Sequence, residues 1–270
     1  MVTPRTHGNI DIDGLAVFYE TEGDGETIVL LHGGLADNST WAAQFSGLSP
    51  YRRVVAPERQ AQGHTPDRPG PLTYQAMTDQ TISFLVALGL GPVDLLGWSD
   101  GGMVGTLIAA EHPELVRTLT VTGSGFSSTG YVPGAMEALV ALSPGDEDMV
   151  MFAAMYAQAS PDGPEHFPEV WEKMRTMWAE AFDWTAKVQQ ISAPTLVIVG
   201  DDDYISVEHA QEFSHRVENG QLAVVPGASH LVPMEKPDLF NQLVLDFTAN
   251  PFPETMMPLR RKASGSARQL

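Results

Sequence analysis

The sequence predicts an α/β fold, a mostly parallel sheet of about eight strands flanked by helices on both faces, with one helical insertion. Three observations carry that expectation. Six short apolar runs between residues 27 and 227 are bounded by turn residues, as strands buried on both faces are. Stretches of helical period alternate with them, the rhythm of strands joined by covering helices. The alternation stops at 125–192 and then resumes, so that segment reads as an addition to the sheet.

Taken in order, residues 10–20 (IDIDGLAVFYE) alternate around the turn dipeptide Asp13-Gly14 and predict a hairpin. TIVLLH (27–32), RRVVAPE (52–58), PVDLLGW (92–98) and VRTLTVTG (116–123) predict buried strands, followed later by APTLVIVG (193–200) and QLAVVPG (221–227). Helices are expected over Tyr74 to Leu88, Gly102 to Ala110, Val207 to Val217 and Pro237 to Phe247. There is no internal repeat.

Residues 125–192 show helical character around 134–158 and 168–188 and hold six of the twelve Met and three of the five Trp: Trp171, Trp178 and Trp184. Most of these side chains must pack its own core. Flexible Met beside broad aromatics also suits a pocket wall for an apolar ligand. The expected organisation is a core of 1–124 and 193–250, a helical cap or lid of 125–192, and a flexible tail of 251–270.

With 270 residues, 43% hydrophobic and 18% charged, the chain fits one soluble domain with an insertion. Its formal charge of −19 repels phosphate backbones and argues against nucleic acid as a partner. The tail departs from that balance, with Arg260, Arg261, Lys262 and Arg268 against Glu254. Cysteine is absent, which excludes disulfides, thiolate metal sites and a cysteine nucleophile. No run approaches the length of a membrane span and the first residues lack an apolar leader core, so a cytoplasmic location without membrane association is expected. The oligomeric state, a homodimer included, stays open.

The chemistry concentrates at Gly97-Trp98-Ser99-Asp100-Gly101-Gly102, between a strand run and a helical run. A serine on a sharp strand-to-helix turn is held strained and exposed, and the chain two residues either side comes too close for a side chain. Glycines at 97 and 101 meet that demand. The following helix aims its N-terminus at Ser99, where peptide dipoles favour developing negative charge. An alkoxide-forming serine needs a base, and His230, in the loop after the last strand run, is the best placed of eight histidines. The base needs a carboxylate to orient it, and the preceding strand ends in Asp201-Asp202-Asp203. The order serine, acid, histidine separates this arrangement from other serine-hydrolase orders.

Over residues 10–250 the chain resembles α/β-hydrolase fold enzymes of the esterase type, on Leu31-His32-Gly33-Gly34, Gly97 to Gly102, Gly200 to Asp203 and Gly227-Ala228-Ser229-His230. The GWSDGG form is similar to valacyclovir-hydrolase-like and related small carboxylic-ester hydrolases. The resemblance implies Ser99 as nucleophile, His230 as base and Asp203 as acid, with Asp201 and Asp202 as alternatives. It implies an oxyanion hole from the backbone N–H groups of Asp100 and Gly34, with Leu35 as alternative to Gly34. His32 is expected to hold that loop. Leu35, Trp98, Asp100 and Trp178 are the substrate-binding candidates, Asp100 toward an ammonium group or, alternatively, in a structural bond at the helix start. No metal or cofactor is expected, and an Asp-rich metal site at 201–203 lacks a second ligand cluster. The chain departs from the family's D-x-R-G-x-G-x-S segment at Glu58-Arg59-Gln60-Ala61-Gln62-Gly63-His64-Thr65, where Gln60 and Ala61 replace Arg and Gly. His64 is a further pocket candidate there, with an exposed loop position as the alternative.

The expected activity is hydrolysis of a small, largely apolar ester or lactone through an acyl-enzyme. The insertion carries ten acids against three bases and no basic clamp, which disfavours polyanionic substrates. A carbon–carbon bond hydrolase, a perhydrolase, an amino-acid-ester hydrolase and a ligand receptor on the same fold are the alternatives.

Overall fold

The structure, a computed structural model, describes residues 3–257. Strands β1 (Thr6–Ile12) and β2 (Leu15–Glu22) form the antiparallel hairpin, turning on Asp13 and Gly14. Both turn residues have positive φ, 52° and 80°, as the tightest hairpin turn requires. There follow β3 (Thr27–Leu31), α1 (Ala42–Leu48), β4 (Arg53–Pro57), α2 (Tyr74–Ala87), β5 (Val93–Trp98), α3 (Asp100–Glu111) and β6 (Val116–Thr122). After the insertion come β7 (Thr195–Asp202), α8 (Val207–Arg216), β8 (Gly220–Ser229), α9 (Val232–Glu235) and α10 (Pro237–Ala249). The insertion itself supplies α4 (Ala135–Val140), α5 (Val150–Ala159), α6 (Phe167–Ala179) and α7 (Thr185–Val188).

The eight strands form one sheet in the order β1-β2-β4-β3-β5-β6-β7-β8. β1, β2 and β4 pair antiparallel, and every pair from β4 onward is parallel. Alternate residues of each central strand serve opposite faces. Ile28 and Leu30 of β3 join one apolar cluster with Phe45, Phe240, Val244 and Phe247, whereas Val29 and Leu31 join another with Phe84, Val104, Leu107 and Phe213. Helices α1, α9 and α10 therefore cover one face, and α2, α3 and α8 the other. That two-sided burial is why these runs read as unbroken apolar stretches rather than alternating ones.

The insertion leaves the sheet after β6, in the middle of the molecule, and contributes no strand to it. Its two ends are tied together by Ser128 N–H to Phe182 O (2.9 Å) and Trp184 N–H to Phe126 O (2.8 Å). Helix α6 has its apolar side, Val170, Trp171, Met174 and Met177, buried in the same cluster as α2 and α3. The two long helical stretches expected here are each broken. Pro144 and Gly145 stop the first, since proline gives no N–H to a helix and restricts the residue before it, and the Asp146 carboxylate takes up the Ser143 N–H at 2.7 Å. The second ends at Ala179 and restarts at Thr185. Helix α1 is not anticipated from the sequence. The tail expected to be flexible lies outside the described residues from 258 onward. Among the described residues no helix is long and apolar enough to cross a membrane.

Candidate active site

Ser99 sits between β5 and α3 with φ 54° and ψ −124°, a left-side conformation that L side chains rarely adopt. Its backbone is clamped: the Ser99 N–H donates to Thr122 O at 2.9 Å, and the Ser124 hydroxyl donates to Ser99 O at 2.8 Å. The glycines around it are required by contact. A Cβ at 97 would overlap the backbone of Gly101 and Gly102, and one at 101 the carbonyl oxygen of Leu31. The turn is thus closed against its own helix on one side and against β3 on the other.

His230 follows β8 and is fixed by three neighbours. Its Nδ1 lies 2.8 Å from Asp203 Oδ1, and Asp203 is wholly buried at its side chain. Trp98 Nε1 donates to the His230 carbonyl at 2.9 Å, which ties the residue before the nucleophile to the histidine. The rings of Trp98 and Tyr204 flank the imidazole at 5.7 and 5.0 Å. With Nδ1 held by the carboxylate, Nε2 is the nitrogen left for proton transfer. Ser99 Oγ makes no hydrogen bond to another described residue.

The three consecutive aspartates have separate surroundings. Asp201 Oδ1 accepts from the N–H groups of Gly227 (2.8 Å) and Ala228 (3.2 Å), Asp202 is exposed in β7, and Asp203 alone reaches His230. Asp203 Oδ1 also accepts from Ile205 N–H at 3.1 Å, which fixes the carboxylate plane.

Gly34 stands where a Cβ would overlap the Asp100 carboxylate and the Trp178 ring, so the loop after β3, the start of α3 and helix α6 meet at one point. The N–H groups of Gly34 and Asp100 have no partner among the described residues. Asp100 itself is 3% exposed, and its carboxylate accepts from Tyr74 O–H at 2.7 Å and from Trp178 Nε1–H at 3.0 Å. Burial raises its carboxyl group above the ordinary range, opposed by Tyr74, the field of Arg59 and Trp178. Leu35, at φ 57°, packs into the apolar cluster with Met103 and Met174.

Behind this loop His32 and Arg59 are fully buried. Burial first, and Arg59 second, drives the His32 imidazole well below its usual range, so it is neutral. Its tautomer follows from its partners: Arg59 N–H points at Nε2 (3.3 Å), so Nδ1 carries the proton and donates to Gly33 O at 2.7 Å. His64 lies elsewhere, half exposed, 3.0 Å from Glu58 and stacked on Phe18.

A cavity of about 290 Å³ opens between α4 and the end of α6. Val132, Met136, Val140 and Trp178 give it apolar walls, and Glu137 and Glu180 are its charged groups. Two lining residues are linked to Asp100 and Asp203. Trp178 bonds Asp100, and the buried Tyr131 phenol is pushed up first by burial and then by the charges of Asp100 and Asp203. Asp67, His166 and Glu169 form a carboxylate–histidine group away from the serine, but Lys173 Nζ already bonds Asp67 there. Tyr74, Ser124, Tyr131 and Tyr204 carry no motif, and only the fold reveals their places. Arg59 had a signal, a lone cation amid the one segment that breaks the family pattern.

Comparison with known proteins adds four relations. A family model described as Alpha/beta hydrolase family matches residues 28–243. The chain is 30% identical over 250 residues to 2-hydroxy-6-oxo-2,4-heptadienoate hydrolase of Pseudomonas putida, covering 84% of this chain and 90% of the relative. It is 25% identical over 263 residues to serine hydrolase BPHL of Mus musculus, covering 91% and 87%. Among solved structures, a thermophilic esterase from Thermogutta terrifontis is similar at TM-score 0.70 and 27% identity, covering 92% of this chain and 99% of that one.

Proposed function

The chain belongs to the alpha/beta hydrolase family and is a hydrolytic enzyme, and we propose that it cleaves a small, largely apolar carboxylic ester or lactone through an acyl-enzyme on Ser99. The observation that carries this reading is the strained Ser99 elbow with the His230–Asp203 pair, 2.8 Å apart, tied to it by the Trp98 Nε1–H bond to the His230 carbonyl. Ser99 Oγ attacks the carbonyl while His230 Nε2 takes its proton and Asp203 steadies the imidazolium. The Gly34 and Asp100 N–H groups receive the oxyanion, each donor contributing about 3 kcal/mol to the transition state. His230 returns the proton to the leaving oxygen, and a water activated by the same imidazole releases the acyl group. The insertion acts as the lid, and its cavity takes the apolar part of the substrate.

A carbon–carbon bond hydrolase is the second reading, favoured by the 30% identity to the heptadienoate hydrolase. Against it, the cavity offers two glutamates and no basic side chain to a dienoate carboxylate. The valacyclovir-hydrolase-like subgroup draws support from the GWSDGG elbow and the 25% identity to BPHL. Its amino-acid-ester chemistry would need Asp100 to exchange Tyr74 or Trp178 for an ammonium.

Turnover of p-nitrophenyl acetate and butyrate, a lactone panel and a ring-fission dienoate by the native enzyme and Ser99→Ala tests these readings. Ester or lactone release that falls at least about 1,000-fold in Ser99→Ala is expected. Ser99-dependent cleavage of the dienoate alone would transfer the reading to carbon–carbon hydrolysis, and no Ser99-dependent turnover at all would refute both.

A further inference from the structure

Arg59 is wholly buried, and the two protons of its Nη2 go to the backbone of one loop, His32 O at 2.6 Å and Gly33 O at 3.1 Å, with the protonated His32 Nδ1 a third neighbour at 3.2 Å that does not accept. The Gly33 carbonyl also accepts the His32 Nδ1–H at 2.7 Å and, at the long distance of 3.4 Å, the Ala36 N–H. A carbonyl so heavily engaged does not rotate. The peptide that joins Gly33 to Gly34 is planar, and in a trans peptide the C=O and the N–H point in opposite directions. Fixing the Gly33 oxygen from behind therefore fixes the Gly34 N–H in front, on the side where Asp100 begins α3.

The charge balance points the same way. The remaining guanidinium nitrogens of Arg59, Nε and Nη1, are buried without a partner among the described residues, and none of the ion pairs among those residues includes Arg59. Asp100 reaches it only through its field, and burial lowers the guanidinium to about 10. A buried cation without a contacting anion is costly in the resting enzyme. During acyl transfer, negative charge develops at the far end of the peptide whose carbonyl the cation holds. An interaction completed only then lowers the barrier rather than KM.

We propose that Arg59 is the positioning residue of the oxyanion hole, aiming and polarising the Gly34 N–H through the Gly33 carbonyl. This rests on the serine-hydrolase reading above. It touches no substrate, and nothing in the GWSDGG or triad motifs requires an arginine at this place.

The test compares p-nitrophenyl butyrate with its thiono analogue, in which C=S replaces C=O. Sulfur accepts hydrogen bonds weakly and is too large for the hole, so a fault in the hole shows on the oxygen ester alone. Arg59→Met, a long apolar side chain, is expected to lower kcat on the oxygen ester about 30-fold with KM within about threefold, and to change the thionoester rate by less than about threefold. Arg59→Lys, which keeps a cation, is expected to recover part of the loss and provides the same comparison if Arg59→Met does not fold. Equal losses on both esters, or no loss on either, would overturn the assignment. A native enzyme without Ser99-dependent turnover would instead refute the hydrolase reading itself.

Discussion

His32 and His209 are both buried and both neutral, and each uses its ring as a backbone fitting. His209 Nε2 accepts the Phe126 N–H at 3.1 Å, and its ring stacks on Phe126 at 4.1 Å, where the chain enters the insertion. Burial lowers its imidazole to about 4. The folded value lies below the unfolded one, so the unfolded chain takes up the proton first on acidification. The contribution of His209 is complete above about pH 6.5 and is lost as pH falls from there toward about 4. Urea midpoints measured between about pH 7.5 and 5 should decline, and His209→Gln, which keeps an acceptor but no titration, should decline less steeply. Parallel slopes would show that His209 does not carry the effect. The family resemblance already gives His32 to its loop, but nothing in the sequence marks His209. His230 stood out because of its neighbours in the chain, whereas the neutral pair is defined by contacts from Arg59, 27 residues beyond His32, and from Phe126, 83 residues before His209. Among the aspartates of Gly200-Asp201-Asp202-Asp203, the family resemblance points to Asp203, and that residue, just past β7, is the one paired with His230.

Helix α6 is the insertion element that bonds the residue next to Ser99. One end carries Trp178, bonded to Asp100, and the other is anchored to the core through Asp67, which bonds both Lys173 and His166, the latter at 2.9 Å. Burial alone would raise the Asp67 carboxyl, but Lys173, His166 and Gln60 together hold it below its usual range. Lys173→Met removes one partner of this half-buried group. It should cost about 1–3 kcal/mol, less than the loss of a fully buried pair because His166 remains. Hydrogen exchange should quicken across α6 while α3 stays protected, and uniform quickening would contradict a local anchor. The helix was legible from its period, and its anchoring was not, because Asp67 lies in a loop 106 residues earlier in the chain than Lys173. The long helical stretch expected before it was interrupted by Pro144-Gly145, a pair whose helix-breaking habit is plain in the sequence and outweighs the surrounding period.

For the molecule as a whole, the strands were readable one by one but their spatial order was not. Apolar runs announce burial on two faces, yet nothing in them says that β4 lies outside β3 or that the chain then crosses back to β5. That crossover puts the nucleophile strand in the middle of the sheet. The chain as a whole carries a formal charge of −19. Such a field draws cations and repels anions, and salt screens it. Raising salt from about 10 to about 500 mM should increase kcat/KM for an anionic ester, decrease it for a cationic one and leave a neutral ester unchanged. Salt-independent rates for all three would mean that the field does not reach the mouth of the site.

The spread of the three side chains proposed for catalysis over the ends of β5, β7 and β8 also sets a timetable. A chain being synthesised presents Ser99 first, on a strand that already has β3 to pair with and gains β6 next. Asp203 emerges roughly a hundred residues later, and His230 comes last, after the edge strand of the sheet. Until that final strand docks, Ser99 lacks the base proposed for it. Regain of activity on refolding therefore requires β8 to be in place as well as the central sheet.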